Sequence, residues 1–347
     1  MNGPGRDSIV WRRGGLSLLL RPRPLLVGTL LLLVTLVCAL LALSQGRSGL
    51  TLWQVLDALF GQGGGVEQRL VLNIRLPRVL TAIFVGAALG ASGAIFQSIS
   101  RNPLGSPDII GFTTGAASGA IMQIVLFGQG GLAVALAAIG GGLLTAVLVY
   151  LLSLRGGTVG GYRLVLVGIG VGSVLTALNG LLLVRGNLDN AVMANLWLAG
   201  SLNARSWLHV WPVLGGTLLL VPLAALSARR LSMIEMGDDL AHQLGIAVER
   251  TRLLMVAYAV LLAALATAAA GPIAFVALAA PQLAARLNGS RSLPLLGAAL
   301  MGACLLVTAD LIIQMLPLHM TLPIGRVTGM LGGLYLLWLL GRGRRTR

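Results

Sequence analysis

From Pro24 to Leu43 the chain runs for about twenty residues without a charged side chain, and runs of the same kind recur to its end. A hydrocarbon core about 30 Å thick takes about 20 apolar residues in helical form to cross. Comparable runs lie at about 79–99, 109–128, 131–153, 163–184, 207–228, 252–271, 273–287, 293–316 and 327–341, which with the first makes ten. The expected fold class is therefore an all-α polytopic membrane protein with about ten transmembrane helices. Two runs are marginal by length: 273–287 is short, and 327–341 needs its flank from Leu322 onward. Helices that are short or interrupted are tolerated where they pack inside protein and do not meet lipid. A cleaved signal peptide is the weaker reading of the first run, which exceeds the ~7–15 apolar residues of a signal core.

Charge gives the orientation. The chain has 25 basic residues, all arginine, against ten acids. With the N-terminus inside and ten crossings, eighteen arginines fall on the cytoplasmic side. Seven fall outside: Arg47, Arg69, Arg75, Arg78, Arg185, Arg205 and Arg326. That asymmetry satisfies the positive-inside rule with both termini inside. The organisation expected is a tail at 1–23, one transmembrane domain at 24–341 and a tail at 342–347. The domain carries an external segment at 45–74 and a cytoplasmic loop at 229–251.

The same composition excludes other classes. A soluble surface uses about a quarter charged residues, whereas here 10% are charged and 56% hydrophobic. The net charge of +15 is dispersed through short gaps, unlike the clustered basic face of a nucleic-acid binder. Cys38 and Cys304 lie in apolar runs, and there is neither a Walker loop nor an HExxH or His/Cys cluster. No bound cofactor, metal site or catalytic constellation is expected.

Four groups of residues stand out. Arg75 and Arg78 flank Leu76-Pro77 at the outer start of the second crossing, where directed cationic donors suit partner carboxylates or lipid headgroups equally. Within that crossing Gly86, Gly90 and Ala94 recur every fourth residue and leave one face nearly bare. Gly93 and Gln97 share a second face, and Arg101-Asn102-Pro103 stops the helix. In the 229–251 loop, Glu235, Gly237 and Asp238 precede a short apolar face of Leu240, Ala241 and Leu244 that ends at Gly245. This is either a docking knob for a cytoplasmic protein or a helix lying flat under the membrane. Asn179 and Asp310 are the clearest polar groups within the membrane, with Gln314 and His319 near the outer end of the ninth run. A membrane carboxylate is a functional candidate by default; a neutralised tie between two helices is the equal alternative for Asp310.

These blocks resemble the permease subunits of the iron-siderophore and vitamin B12 family of ABC importers, from about residue 24 to 341. The matching motifs begin with Arg75-Leu76-Pro77-Arg78, then Gly86 to Gly90 with Gly93 and Gln97, then Asn102-Pro103-Leu104 with Pro107, Gly111 and Gly115. Trp197 with Gly200-Ser201-Leu202, Gly237-Asp238 with Leu244-Gly245, and Gly271 to Val276 follow. Ala309-Asp310 and Leu322-Pro323-Ile324-Gly325 complete the series.

The resemblance implies a type II importer permease of ten helices that pairs with a sister permease. It implies two cytoplasmic ATPase subunits, which hold the ATP and magnesium, and a periplasmic binding protein that delivers a ferric siderophore through the bacterial inner membrane. On that resemblance Arg75 and Arg78 receive the binding protein's carboxylates, and Glu235 to Gly245 couple to the ATPase. Gly86, Gly90, Gly93, Gln97, Asn102, Pro103, Asn179 and Asp310 belong to helix packing or the translocation path.

Departures bear on the substrate. Pro281-Gln282 stands where Pro-His is frequent, Ala285 and Gln314 stand where arginine is usual, and Thr321 replaces a common glutamate. Arg326 is the candidate third docking cation. The runs Phe275–Gln282 and Gly332–Trp338 are similar to the catecholate, ferric enterobactin branch of the family. A vitamin B12, haem or other metal-chelate permease is the alternative, and an ion-coupled secondary transporter the alternative from another class.

Overall fold

Inside a bilayer the backbone has no water to bond, so an apolar run satisfies its N–H and C=O groups within itself and becomes a helix. The structure, a computed structural model, describes residues 9–13, 16–20, 22–46, 49–62, 64–108, 110–128, 131–155, 158–289, 294–316 and 322–343. In chain order the helices are α1 (Pro22–Ser44), α2 (Leu52–Leu59), α3 (Gly65–Leu70), α4 (Leu76–Ser100), α5 (Phe112–Phe127), α6 (Leu132–Ser153) and α7 (Gly161–Arg185). Then come α8 (Leu188–Leu198), α9 (Trp207–Glu235), α10 (Asp238–Gln243), α11 (Val248–Ala270), α12 (Val276–Asn288), α13 (Leu295–Met315) and α14 (Ile324–Gly343). Two small antiparallel hairpins interrupt an otherwise helical chain. One pairs β1 (Ile9–Arg13) with β2 (Leu16–Leu20), the other β3 (Leu154–Arg155) with β4 (Thr158–Val159). The expected positions of Arg47, Arg291, His319, Thr321, Arg344, Arg345 and Arg347 lie outside the described residues.

A helix stands at each of the ten expected runs, but helix length alone does not make ten crossings. Among the described residues, seven helical segments are long and apolar enough to span a membrane. α5 has 16 residues and α12 only 13, and at 1.5 Å per residue α12 reaches about 20 Å. α8 is an addition that hydropathy did not reveal, because Asp189, Asn190 and Asn195 interrupt its apolar residues.

The second crossing begins earlier than position 79. Residues Gly65–Ser100 form one helical run of 36 residues, widened between Val71 and Arg75 into a π-turn. Pro77 has no N–H to continue the ladder, and the Leu76 N–H bonds Val71 O in the wider register. Beyond the turn, α4 is the central helix, packed against α13, α11, α9 and α12.

Its glycines make that contact possible. A Cβ on Gly86 would stand 2.3 Å from Gly302 O of α13, one on Gly90 2.1 Å from Ala298 O, and one on Gly93 1.7 Å from Ala277 O of α12. No side chain fits at those separations, so backbone packs directly on backbone. The glycine face is sealed by protein and does not line an open path.

Outside this core, α2 is a short amphipathic helix in the 45–74 segment. Thr51 caps it reciprocally with Gln54, Val55 and Ala58 are buried, and Trp53 and Phe60 are exposed.

Candidate functional site

The outer arginines separate into two roles. The π-turn directs Arg75 sideways onto the end of α1, where its Nη1 donates to Leu43 O at 2.7 Å and Ser44 O at 3.1 Å. A cation on the last carbonyls of a helix both bonds orphan acceptors and opposes the macrodipole. Gly46, at φ +134°, leaves room for it: a Cβ there would come within 2.9 Å of Arg75 Nη2. Arg75 is 8% exposed, and its guanidinium anchors the end of α1 to the π-turn.

Arg78, one turn along, is 26% exposed at its side chain and reaches α13. Its Nη2 and Nε bond Asp310 at 2.8–3.3 Å, and Gln314 Nε2 donates to the same carboxylate at 2.7 Å. Asp310 is 2% exposed, and its bonds to Arg78 tie α13 to α4. Gln314 thereby completes that carboxylate's bonding. Both arginines, with Gln45, Ile74 and Gln314, line a cavity of about 380 Å³.

At the other end of α4, Arg101 turns the chain at φ +48° and donates to Ile234 O at 2.8 and 3.1 Å. It also pairs with Asp238, whose other oxygen contacts belong to Arg252 Nη2 at 2.9 and 3.0 Å. Burial alone would raise Asp238, but the Arg252 and Arg101 guanidinium groups hold its carboxyl below the usual carboxylate range. Arg252 is 2% exposed and also pairs with Glu249, which accepts from Val159 N at 3.2 Å. Ser98 of α4 donates to Glu235. The α10 element is thus tied to α4 and α11, and α11 in turn to the β3–β4 hairpin.

Its apolar face divides. Ala241 is buried with Ile234 and Val248, while Leu240 and Leu244 are 52% and 61% exposed, beside exposed Met236. Ala241 anchors the element, and the two leucines form what projects. Gly237 and Gly245 carry positive φ, and the bond from Ile246 N to Ala241 O closes the helix end.

Gln97, Asn102 and Pro103 come together above α10. Gln97 Nε2 donates to Leu278 O at 3.0 Å, Asn102 Oδ1 accepts from Leu104 N at 2.9 Å, and Gln282 Nε2 donates to Pro103 O at 2.6 Å. With Arg101 and Glu235 they border a cavity of about 410 Å³. Gln282, at the position where histidine is frequent, therefore holds the turn after α4. Asn179 is remote from this group, buried on α7 with its Oδ1 unpartnered among the described residues.

Arg326 is not beside Arg75 and Arg78. It opens α14 and lines a separate cleft of about 290 Å³ with Asp108, Thr113, Thr114, Asn195 and Pro272. Sequence reasoning missed this cleft. Its signal was the set of Gly- or Pro-marked breaks at Gly111, Gly200, Gly271-Pro272 and Pro323, which only the fold brings together.

The sequence matches the FecCD transport family over residues 32–342. It is 49% identical over 319 residues to the ferric enterobactin transport system permease protein FepG of Escherichia coli (strain K12), covering 92% of this chain and 96% of that protein. Identity to the iron(3+)-hydroxamate import system permease protein FhuG of Bacillus subtilis (strain 168) is 34% over 328 residues, 92% of this chain and 97% of that protein. A solved structure provisionally assigned as a metal-chelate type ABC transporter in an inward-facing conformation matches at 29% identity with a TM-score of 0.81. That match covers 91% of this chain and 99% of the other.

Proposed function

The chain belongs to the FecCD transport family, and from that premise we propose that it is the membrane permease subunit of an ATP-driven importer of ferric siderophores, of the catecholate type. The observation that carries the mechanism is that one helix joins the arginine-lined cavity to the α10 element. α4 leaves the arginine-lined cavity at Arg78 and ends at Arg101, which grips the α10 element.

In this reading ten segments enter or cross the inner membrane, with both termini cytoplasmic. A binding protein docks a carboxylate near Arg78, whose partly exposed guanidinium retains donors beyond those held by Asp310. Arg75 keeps the outer end of α1 in register with that site. Leu240 and Leu244 seat in a separate ATPase, where ATP and magnesium are bound. The ion pairs around Asp238 carry its movement to α4 and α11. Rigid transmission suits a glycine-packed core, since side chains cannot slide past one another where backbones touch. A sister permease completes the path.

Catecholate cargo ranks above hydroxamate because identity to the enterobactin permease is 49% against 34% for the hydroxamate one. The test is iron-limited growth of a deletion strain supplied with one purified siderophore at a time. Permease-dependent growth on a catecholate is expected; growth on a hydroxamate alone would overturn the assignment.

A further inference from the structure

We propose that the cleft bounded by Arg326, Asn195, Thr113, Thr114 and Asp108 is a contact station for an anionic metal chelate, with Arg326 its specificity-determining cation. The inference rests on the importer reading above and adds to it the residues that meet the cargo.

The first argument is the backbone. The segment before α5, the end of α8, the break between α11 and α12, and the start of α14 all meet here. A Cβ on Gly200 would lie 2.3 Å from Pro272 O, and one on Gly325 would lie 2.5 Å from Ala199 O and 2.7 Å from Pro272 O. Ser201 N donates to Ala270 O at 2.8 Å. The breaks therefore stack backbone on backbone into one floor.

This floor lies within the membrane. The C-terminal end of α12 is level with the start of α1, where Arg23 Nε donates to Leu287 O at 3.0 Å. From there α12 rises only about 20 Å of a core about 30 Å thick. Irregular backbone at that depth persists only where it is buried in protein or lines a water-filled cavity. In secondary transporters, interrupted helices that meet inside the membrane mark where cargo is held, and the same packing logic applies to these breaks.

The second argument is the lining. Arg326 is exposed to the cleft and forms no ion pair among the described residues. A cation within a membrane protein is costly unless it faces water or a partner. The Thr114 hydroxyl and the second amide hydrogen of Asn195, whose first bonds Ala191 O, supply further donors, while the Thr113 hydroxyl is committed to Asp108. The N-terminal turns of α5 and α14 border the same space, so their unbonded N–H groups add positive potential.

Iron(III) held by three catecholate groups is a net anion, because each group contributes two anionic oxygens; three hydroxamates leave the complex neutral. The lining therefore discriminates in favour of the catecholate class. Asp108 accepts a bond from Thr113 at the edge of the cleft.

The test uses the intact importer in proteoliposomes with its binding protein and radio-iron-loaded enterobactin, reading uptake and binding-protein-stimulated ATPase together. Arg326→Gln is expected to lower uptake about tenfold while stimulation persists, the loss of one charge-assisted contact. Arg326→Lys is expected to retain most uptake. Unchanged uptake in Arg326→Gln would overturn the inference. So would a parallel loss of stimulation, which would make Arg326 a docking residue. Absence of uptake by the wild-type importer would instead overturn the functional reading on which the inference rests.

Discussion

Removing Arg78 alone should destabilise the protein more than removing Arg78 and Asp310 together. Asp310 is 2% exposed, and apart from Arg78 its carboxylate is bonded by Gln314 at 2.7 Å. Arg78→Leu leaves that charge buried with a single amide donor. Breaking one side of a buried pair costs about 3–5 kcal/mol, and the 26% exposure of the Arg78 side chain points to the lower end of that range. Replacing both residues by leucine removes the unpaired charge as well, and such replacements are about neutral.

Thermal unfolding of the detergent-purified complex reads the difference with a thiol-reactive dye, since Cys304 is buried and Cys38 half-buried. At roughly 2 °C per kcal/mol for a large domain, the single variant should melt about 6 °C lower and the double variant within about 2 °C of wild type. A double variant as unstable as the single one would refute mutual compensation, as would a single variant that melts like wild type. The stable double variant then isolates docking: uptake lost in a well-folded protein assigns Arg78 to the binding protein, and normal uptake removes it.

Two further perturbations probe the core and the inner face. Gly90→Ala places a methyl 2.1 Å from Ala298 O and should destabilise by about 1–3 kcal/mol in the same assay. Gly170→Ala, with nothing within 4 Å, should be neutral or stabilising, and equal effects would refute the close-packing argument. Leu240→Asp with Leu244→Asp should release the ATPase without lowering the melting temperature, because both side chains are exposed. Retained co-purification would count against coupling there. Asp238 titrates below its ordinary range in the folded protein, so its pairing contributes fully at neutral pH and is lost only as pH falls through the lowered value. Co-purification at pH 5 should therefore match that at pH 7.

The sequence by itself determined what depends on sums over neighbouring residues. Apolar run length dictated helices, arginine distribution gave a consistent orientation, and Gly237 with Gly245 marked local helix ends. It also singled out Arg75, Arg78, Asp238 and Asp310, because charged residues are conspicuous against an apolar background.

Tertiary structure decided what each of these does. Arg75 and Arg78 are three positions apart and read alike, yet a π-turn sends one to the end of α1 and the other to an aspartate 232 residues away. The α4 glycines permitted either a pore or a contact until α13 and α12 closed over them. Arg326 was one arginine among many in the sequence, and the fold brings four breaks from distant parts of the chain around it. Hydropathy and capping act within a few residues, whereas the partner of a bare helix face or a buried charge is set by long-range packing.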